Sequence, residues 1–251
     1  MRGLAAFCEH FARWQDRYVL IGGVATDVLL EDAGLMARAT KDLDVVLLVE
    51  SLDAEFGRAF WDFILAGEYE CRHRSTGKRR FYRFDKPSSR SFPAQIELFS
   101  RQPDVLVLPK DAELTPLPLA EELSSLSAIL LDDTYYAFVR QGVLHFDGLS
   151  VLGPEHLIPM KARAWLDLTD RRASGATVDS HDINKHRTDV VRLSQLVAPT
   201  TRVELSASIA DDMADSLARA FDDGLELRQL GIRATTAEVV TALRAVYAVG
   251  T

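Results

Sequence analysis

The chain has 251 residues, 47% of them hydrophobic, and a formal net charge of -8, which is enough to bury a core as one large domain or two modest ones without disulfides. Its cysteines, Cys8 and Cys71, fit no metal or redox spacing and read as free thiols of a reducing compartment. No apolar run approaches the roughly 18 residues of a membrane span, the charged N-terminal stretch does not look like a signal sequence, and the acidic balance argues against a general nucleic-acid coating protein. The expectation is a cytoplasmic protein with no membrane partner.

Residues 1–14 read as an amphipathic helix. In Y-V-L-I-G-G-V-A-T-D-V-L-L, residues 18–30, a short apolar run meets Gly22-Gly23 and continues with helical spacing through Val24, Val28 and Leu29, giving a strand, a glycine turn and a helix. R-A-T-K-D-L-D-V-V-L-L-V-E, residues 38–50, opens a second strand with Asp42 and Asp44. Residues i and i+2 of a strand share a face, about 7 Å apart, so the two carboxylates converge on a cation, or else Asp42 caps a turn and Asp44 is a solvated strand residue. Phe56, Phe60, Phe63 and Ile64 predict a helix with Ser51 as cap. Segments 69–74, 79–84 and 94–99 read as strands of a mixed sheet with antiparallel members. Pro103, Pro109, Pro116 and Pro118, with Asp111 and Glu113, mark a connecting loop, and residues 135–152, Y-Y-A-F-V-R-Q-G-V-L-H-F-D-G-L-S-V-L, read as a further strand pair.

From Gly153 the pattern turns helical. Leu157, Lys161, Ala164, Trp165 and Leu168 share a period with Pro154 in the first turn, and further helices are expected over 181–197, 205–222 and 236–249. The reading is a mixed α/β (α+β) protein with a sheet-based part over 1–150 and a helical part over 151–251.

Several residues stand out chemically. Glycines at a strand-to-helix turn admit a phosphate close to the backbone, beside free N–H groups and the positive end of the helix dipole, and a phosphate cradle next to paired carboxylates is what phosphoryl or nucleotidyl transfer requires. Glu97, in Q-I-E-L-F, is either a third carboxylate brought to the same metal by a neighbouring strand or a solvent-facing residue between buried ones. Lys161 lies on an apolar helix face and needs an anion, either a nucleotide phosphate or an acidic residue of the N-terminal part. His186 lies on the inward face with Ile183, Val190, Leu193 and Val197, as a packed core histidine or a general base. His181 and His186 do not have helical zinc-ligand spacing. The basic segment R-H-R-S-T-G-K-R-R-F-Y-R, residues 72–83, reads as a hairpin that either binds phosphates or keeps a sheet edge soluble.

With these blocks in view, G-G-V-A-T-D-V-L-L, R-A-T-K-D-L-D-V-V-L and V-L-G-P-E-H-L-I-P-M-K-A-R-A resemble the AbiEii-like nucleotidyltransferases of the DNA polymerase β superfamily, the family of type IV abortive-infection toxins. The likeness spans roughly residues 18–197. It implies a nucleotidyltransferase fold followed by a C-terminal helical domain, with the active site between them. It carries over Gly22, Gly23 and Lys161 for nucleotide binding with Arg38 and Thr40 in support, and Asp42 and Asp44 for metal. N-K-H-R-T-D-V-V-R-L is similar to the family's K-D-x-x-D-L helix and brings Lys185 and Asp189, departing from it at His186.

The resemblance implies NMP transfer from NTP with two Mg²⁺ ions held by Asp42 and Asp44, Glu97 on the catalytic metal, and Lys185 with Asp189 positioning nucleotide or acceptor. Three expectations follow for the partner: a macromolecular acceptor such as tRNA with a cognate antitoxin protein, a small cationic acceptor of the aminoglycoside type, or a non-catalytic nucleotide-binding module.

Overall fold

The computed structural model describes residues 1–38, 40–48, 53–76, 79–100, 115–116, 132–221 and 225–250, with the backbone alone for 72–76, 79–81, 100 and 115–116. Alternation along the strands decides how the first half folds. In β2 (Asp42–Leu47), Leu43, Val45 and Leu47 are buried while Asp42 is exposed and Asp44 half-buried. The strand therefore has an apolar face and a face that opens with two carboxylates.

Its neighbours keep that division. β1 (Tyr18–Ile21) is antiparallel to β2, with Tyr18 opposite Leu47 and Ile21 opposite Asp44, and β5 (Gln95–Ser100) is parallel to β2, with Asp44 opposite Glu97. β4 (Arg79–Asp85) runs antiparallel to β5 and sets Arg83 opposite Glu97. β3 (Glu70–Thr76) forms the hairpin with β4, and β6 (Thr115–Pro116) adds a short parallel pairing to β3. On the far side of β1, β8 (Leu149–Leu152) is parallel to it and β7 (Val143–Phe146) pairs antiparallel with β8. The order among the described residues is β6-β3-β4-β5-β2-β1-β8-β7, a mixed sheet.

Aromatic residues cover the apolar face. Phe7 of α1 (Leu4–Phe11) lies edge-on to Tyr18 with ring centroids 5.3 Å apart, and Phe60 and Trp61 of α3 (Ala54–Ala66) meet Phe84 at 5.7 and 5.8 Å. Burying each such ring contributes about 1.5–3 kcal/mol. The start of α3 is capped by Asp53, whose carboxylate accepts from the Phe56 N–H at 2.8 Å. That displaces Ser51 as the expected cap; Ser51 itself lies outside the described residues, as do Pro103, Pro109, Pro118, Asp111 and Glu113.

The chain divides into two compact units, Met1–Val28 with Met36–Ser127 and Val143–Leu152, and Leu29–Leu35 with Ala128–Gly142 and Gly153–Thr251. Residue 150 falls inside the β7–β8 hairpin, which goes with the sheet because β8 pairs with β1. Residues 135–141, expected to be extended, form α4 (Asp133–Gln141) instead. Asp132 accepts from the N–H groups of Thr134 and Tyr135 at 2.7 and 3.3 Å, and Tyr135, Tyr136, Phe138 and Val139 are buried at helical spacing. Cap and packing together outweigh the strand preference of the aromatic and β-branched residues.

The second unit continues with α5 (Pro154–Ala173), α6 (Ser180–Ser194), α7 (Ala207–Arg219) and α8 (Thr236–Tyr247). Trp165, Leu166, Leu168, Ile183 and Ala220 form a shared core. No helix among the described residues is long and apolar enough to cross a membrane. α5 holds Pro159 in its interior, and a proline has no N–H for the carbonyl four residues back, that of Glu155. The buried Tyr247 hydroxyl donates to that carbonyl at 2.8 Å, so a neighbouring helix satisfies the acceptor the proline orphans. Tyr247→Phe is expected to cost about 1–3 kcal/mol. In a Pro159→Ala background the loss should shrink, because residue 159 then supplies its own N–H. Urea unfolding of the four proteins measures this, and equal losses in both backgrounds would refute it.

Candidate functional site

β1 ends at Ile21 and α2 (Gly22–Asp32) begins at the next residue. A turn this abrupt needs Gly22, whose φ is 69°, a conformation that a side chain disfavours. A Cβ at Gly22 would also run into the Asp44 carboxylate, and one at Gly23 would lie 2.5 Å from Thr40 Oγ1 and 3.2 Å from Arg38 Nη2. The Thr26 hydroxyl donates back to the Gly22 carbonyl at 2.8 Å and ties the turn to the helix. Five predicted residues, Gly22, Gly23, Arg38, Thr40 and Asp44, thus surround the N-terminus of α2. The first N–H groups of a helix have no intrahelical acceptor, and its dipole favours an anion there.

Asp42 and Asp44 share one face of β2, as their spacing predicts, and parallel pairing puts Glu97 beside Asp44 on the same face. The Glu97 carboxylate is nevertheless engaged elsewhere. Its Oε1 accepts from Arg83 Nε at 3.2 Å, Arg83 Nη2 at 3.1 Å and Gln95 Nε2 at 3.1 Å. Among the described residues no group of three or more His, Cys, Asp or Glu side chains is arranged to hold a metal ion. The donor set that remains, two carboxylates beside a glycine cradle that a Cβ would fill, still suits a hard divalent cation.

In the helical unit, Lys161 of α5 and Asp189 of α6 form an ion pair at 2.6 Å, with 1% and 0% of their side chains exposed. The burial of Lys161 demands an anion, and Asp189 on the next helix supplies one. His186, one turn before Asp189, is 4% exposed and belongs to the buried face of α6. Lys185 lies on the partly exposed side, paired with Asp182 at 2.9 Å. Both thiols are pushed up by burial, Cys71 to about 12, which makes them poor nucleophiles.

Spacing does not single out Arg83 or Gln95, which appear as the end of a basic segment and a strand polar residue. Their signal is the register of β4 and β5 around Glu97, which emerges only from pairing.

No protein-family model and no curated protein matches the chain. Among solved structures it is similar to an antigenic nucleotidyltransferase-like protein from Paracoccidioides brasiliensis, at 16% identity and a TM-score of 0.46, with 98% of this chain and 94% of that chain covered. A likeness at this level leaves the functional reading to the chain's own residues.

The buried pair makes a direct prediction. Lys161→Met removes the cation paired with the buried Asp189 and should cost about 3–5 kcal/mol, whereas Lys161→Met with Asp189→Leu should cost much less than the sum of the single changes. Chemical denaturation of the three variants tests this, and additive losses would show the two residues to be independent.

Proposed function

We propose that the protein is a Mg²⁺-dependent nucleotidyltransferase that moves NMP from NTP to a hydroxyl of a macromolecular acceptor such as tRNA, as in the toxin-like reading of the AbiEii resemblance. The observation that carries the reading is the convergence of Gly22, Gly23, Arg38, Thr40 and Asp44 at the start of α2. In this assignment the backbone N–H groups of the turn bind the β- and γ-phosphates, where the helix dipole adds to their attraction. The Arg38 guanidinium and the Thr40 hydroxyl flank the same phosphates, the first by charge and the second as a donor.

Asp42 and Asp44 hold the cation. When bound there, Mg²⁺ supplies charge neutralisation of the triphosphate and lowers the pKa of the attacking hydroxyl. The acceptor oxygen forms its bond to the α-phosphorus as the bond to pyrophosphate breaks. The nucleotide contacts are assigned to the glycine turn, and the Lys161–Asp189 pair is read as part of the helical framework.

The macromolecular acceptor is favoured over a small cation by the register of the basic hairpin. Arg72 is opposite Arg83, Arg74 opposite Phe81 and Thr76 opposite Arg79. Residues 72, 74, 79 and 83 therefore occupy positions on the sheet face that bears Asp44 and Glu97, and Arg80 occupies the other. Four arginine positions on a face that also carries Glu70 and Asp85 give a phosphate backbone points of attachment that lead toward the site.

Incubation with each α-labelled NTP, Mg²⁺ and total RNA should label RNA, and Asp44→Asn should lower labelling by about 10²-fold or more while circular dichroism stays unchanged. Label that enters only a small-molecule fraction would turn the reading to the aminoglycoside type, and an Asp44→Asn protein with full activity would end the metal-site assignment. The hairpin gives a second expectation. Arg79→Ser should weaken RNA binding and lower the log-log salt slope by roughly one, with a much smaller effect from Arg80→Ser. Equal effects from both changes would mean that the face does not matter.

A further inference from the structure

The proposed site rests on carboxylates, and the Glu97 side chain does not behave as one that awaits a metal. It is 5% exposed, and across the β4–β5 pairing it meets Arg83, itself 17% exposed. The pairing is built in twice. The register of β4 against β5 sets Arg83 directly opposite Glu97, and both the Nε and an Nη of the guanidinium reach the same carboxylate oxygen, with Gln95 as a third donor from two residues away on β5. Charge-assisted bonds of this kind, in a site shielded from water, hold both partners in one orientation.

We infer that Arg83 and Glu97 are a fixed charge pair, that Glu97 is a positioning residue and not a metal ligand, and that the divalent cation of the proposed site is held by Asp42 and Asp44 without it. The inference rests on the reading of Asp42 and Asp44 given above and alters what the resemblance to the nucleotidyltransferases implies for the third carboxylate. Glu97 acts through Arg83: it anchors a guanidinium on the face of the sheet that carries Asp44, at the inner end of the arginine positions of the β3–β4 hairpin.

The test is a titration of the metal-free protein with Mn²⁺ alone, read by the loss of the free-ion electron paramagnetic resonance signal. Glu97→Gln should bind Mn²⁺ within about twofold of wild type, and Asp44→Asn should bind about tenfold or more weakly, since it deletes a ligand. Weakening by Glu97→Gln as large as that by Asp44→Asn overturns the inference while leaving the proposed function standing. Wild-type Mn²⁺ affinity in both Asp42→Asn and Asp44→Asn would instead remove the proposed site itself.

Thermal unfolding supplies a readout that does not involve metal. Arg83→Gln leaves a buried carboxylate without its counter-charge and should lower Tm, and adding Glu97→Gln in the same chain should recover part of that loss. Absence of any recovery overturns the fixed pair. If Arg83→Gln alone does not fold, the doubly substituted protein, which carries neither charge, takes its place in the Mn²⁺ titration and is expected to bind as wild type does; binding weakened to the level of Asp44→Asn overturns the inference.

Discussion

Asp44 is the residue on which the sheet and the site both depend. It stands opposite Ile21, the last residue of β1, and opposite Glu97 on β5, and its carboxylate fills the space where a Gly22 side chain would be. A charged side chain in the middle of a sheet is costly unless solvent or a partner balances it. The arrangement is possible because that face of β2 opens with carboxylates, ahead of the buried Val46, and the adjoining turn is made from glycine. The G-G and D-x-D motifs are therefore one structural unit. Any residue larger than glycine at position 22 meets both a left-handed backbone and a carboxylate in its way.

The division of the sheet into two faces explains how such a unit survives in a folded protein. One face, with Tyr18, Leu20, Leu43, Val45, Tyr82 and Phe84, packs aromatic residues of α1 and α3, and the other buries Val19, Ile21, Val46 and Phe99 beyond the carboxylates. Polar residues collect at one end of that second face, and because side chains alternate with a period of two, a single register fixes them all. Asp42, Asp44, Gln95, Glu97 and Arg83 share that face for the same reason that their sequence neighbours are buried.

This also sets what was legible in the sequence. The strand, glycine turn and helix at 18–30 and the strand that follows Lys41 are local patterns, and the residues of the turn and the carboxylate pair are legible from spacing alone. Residues 135–141 are not, because tyrosine, phenylalanine and valine suit a strand, and the deciding facts are the Asp132 cap and a buried helical face. Ser51 and Asp53 are equally good caps by residue type, and geometry chooses the second. Glu97 is legible as an unusual strand residue, but its partner is not, since Arg83 reaches it through a hairpin turn and two strand pairings.

The same limit governs Lys161. An ammonium on an apolar helix face implies an anion, because an isolated buried charge costs far more than folding leaves to spare. Desolvation sets that requirement from the sequence, yet it is indifferent to which anion meets it: a phosphate, an aspartate of the sheet or an aspartate of the next helix all serve. Asp189 is 28 residues away in the chain, and only the packing of α5 on α6 selects it. Burial arguments therefore predict that a charge is answered with more certainty than they predict by what. The Arg83–Glu97 and Lys161–Asp189 pairs have the same logic: in each, a residue whose type suggested chemistry is held by an opposite charge that the fold itself supplies. What separates them from Asp42 and Asp44 is exposure. Asp42 is open to solvent and Asp44 half-buried, so both lie where a cation from solution reaches them, whereas Glu97, Lys161 and Asp189 are buried against their partners.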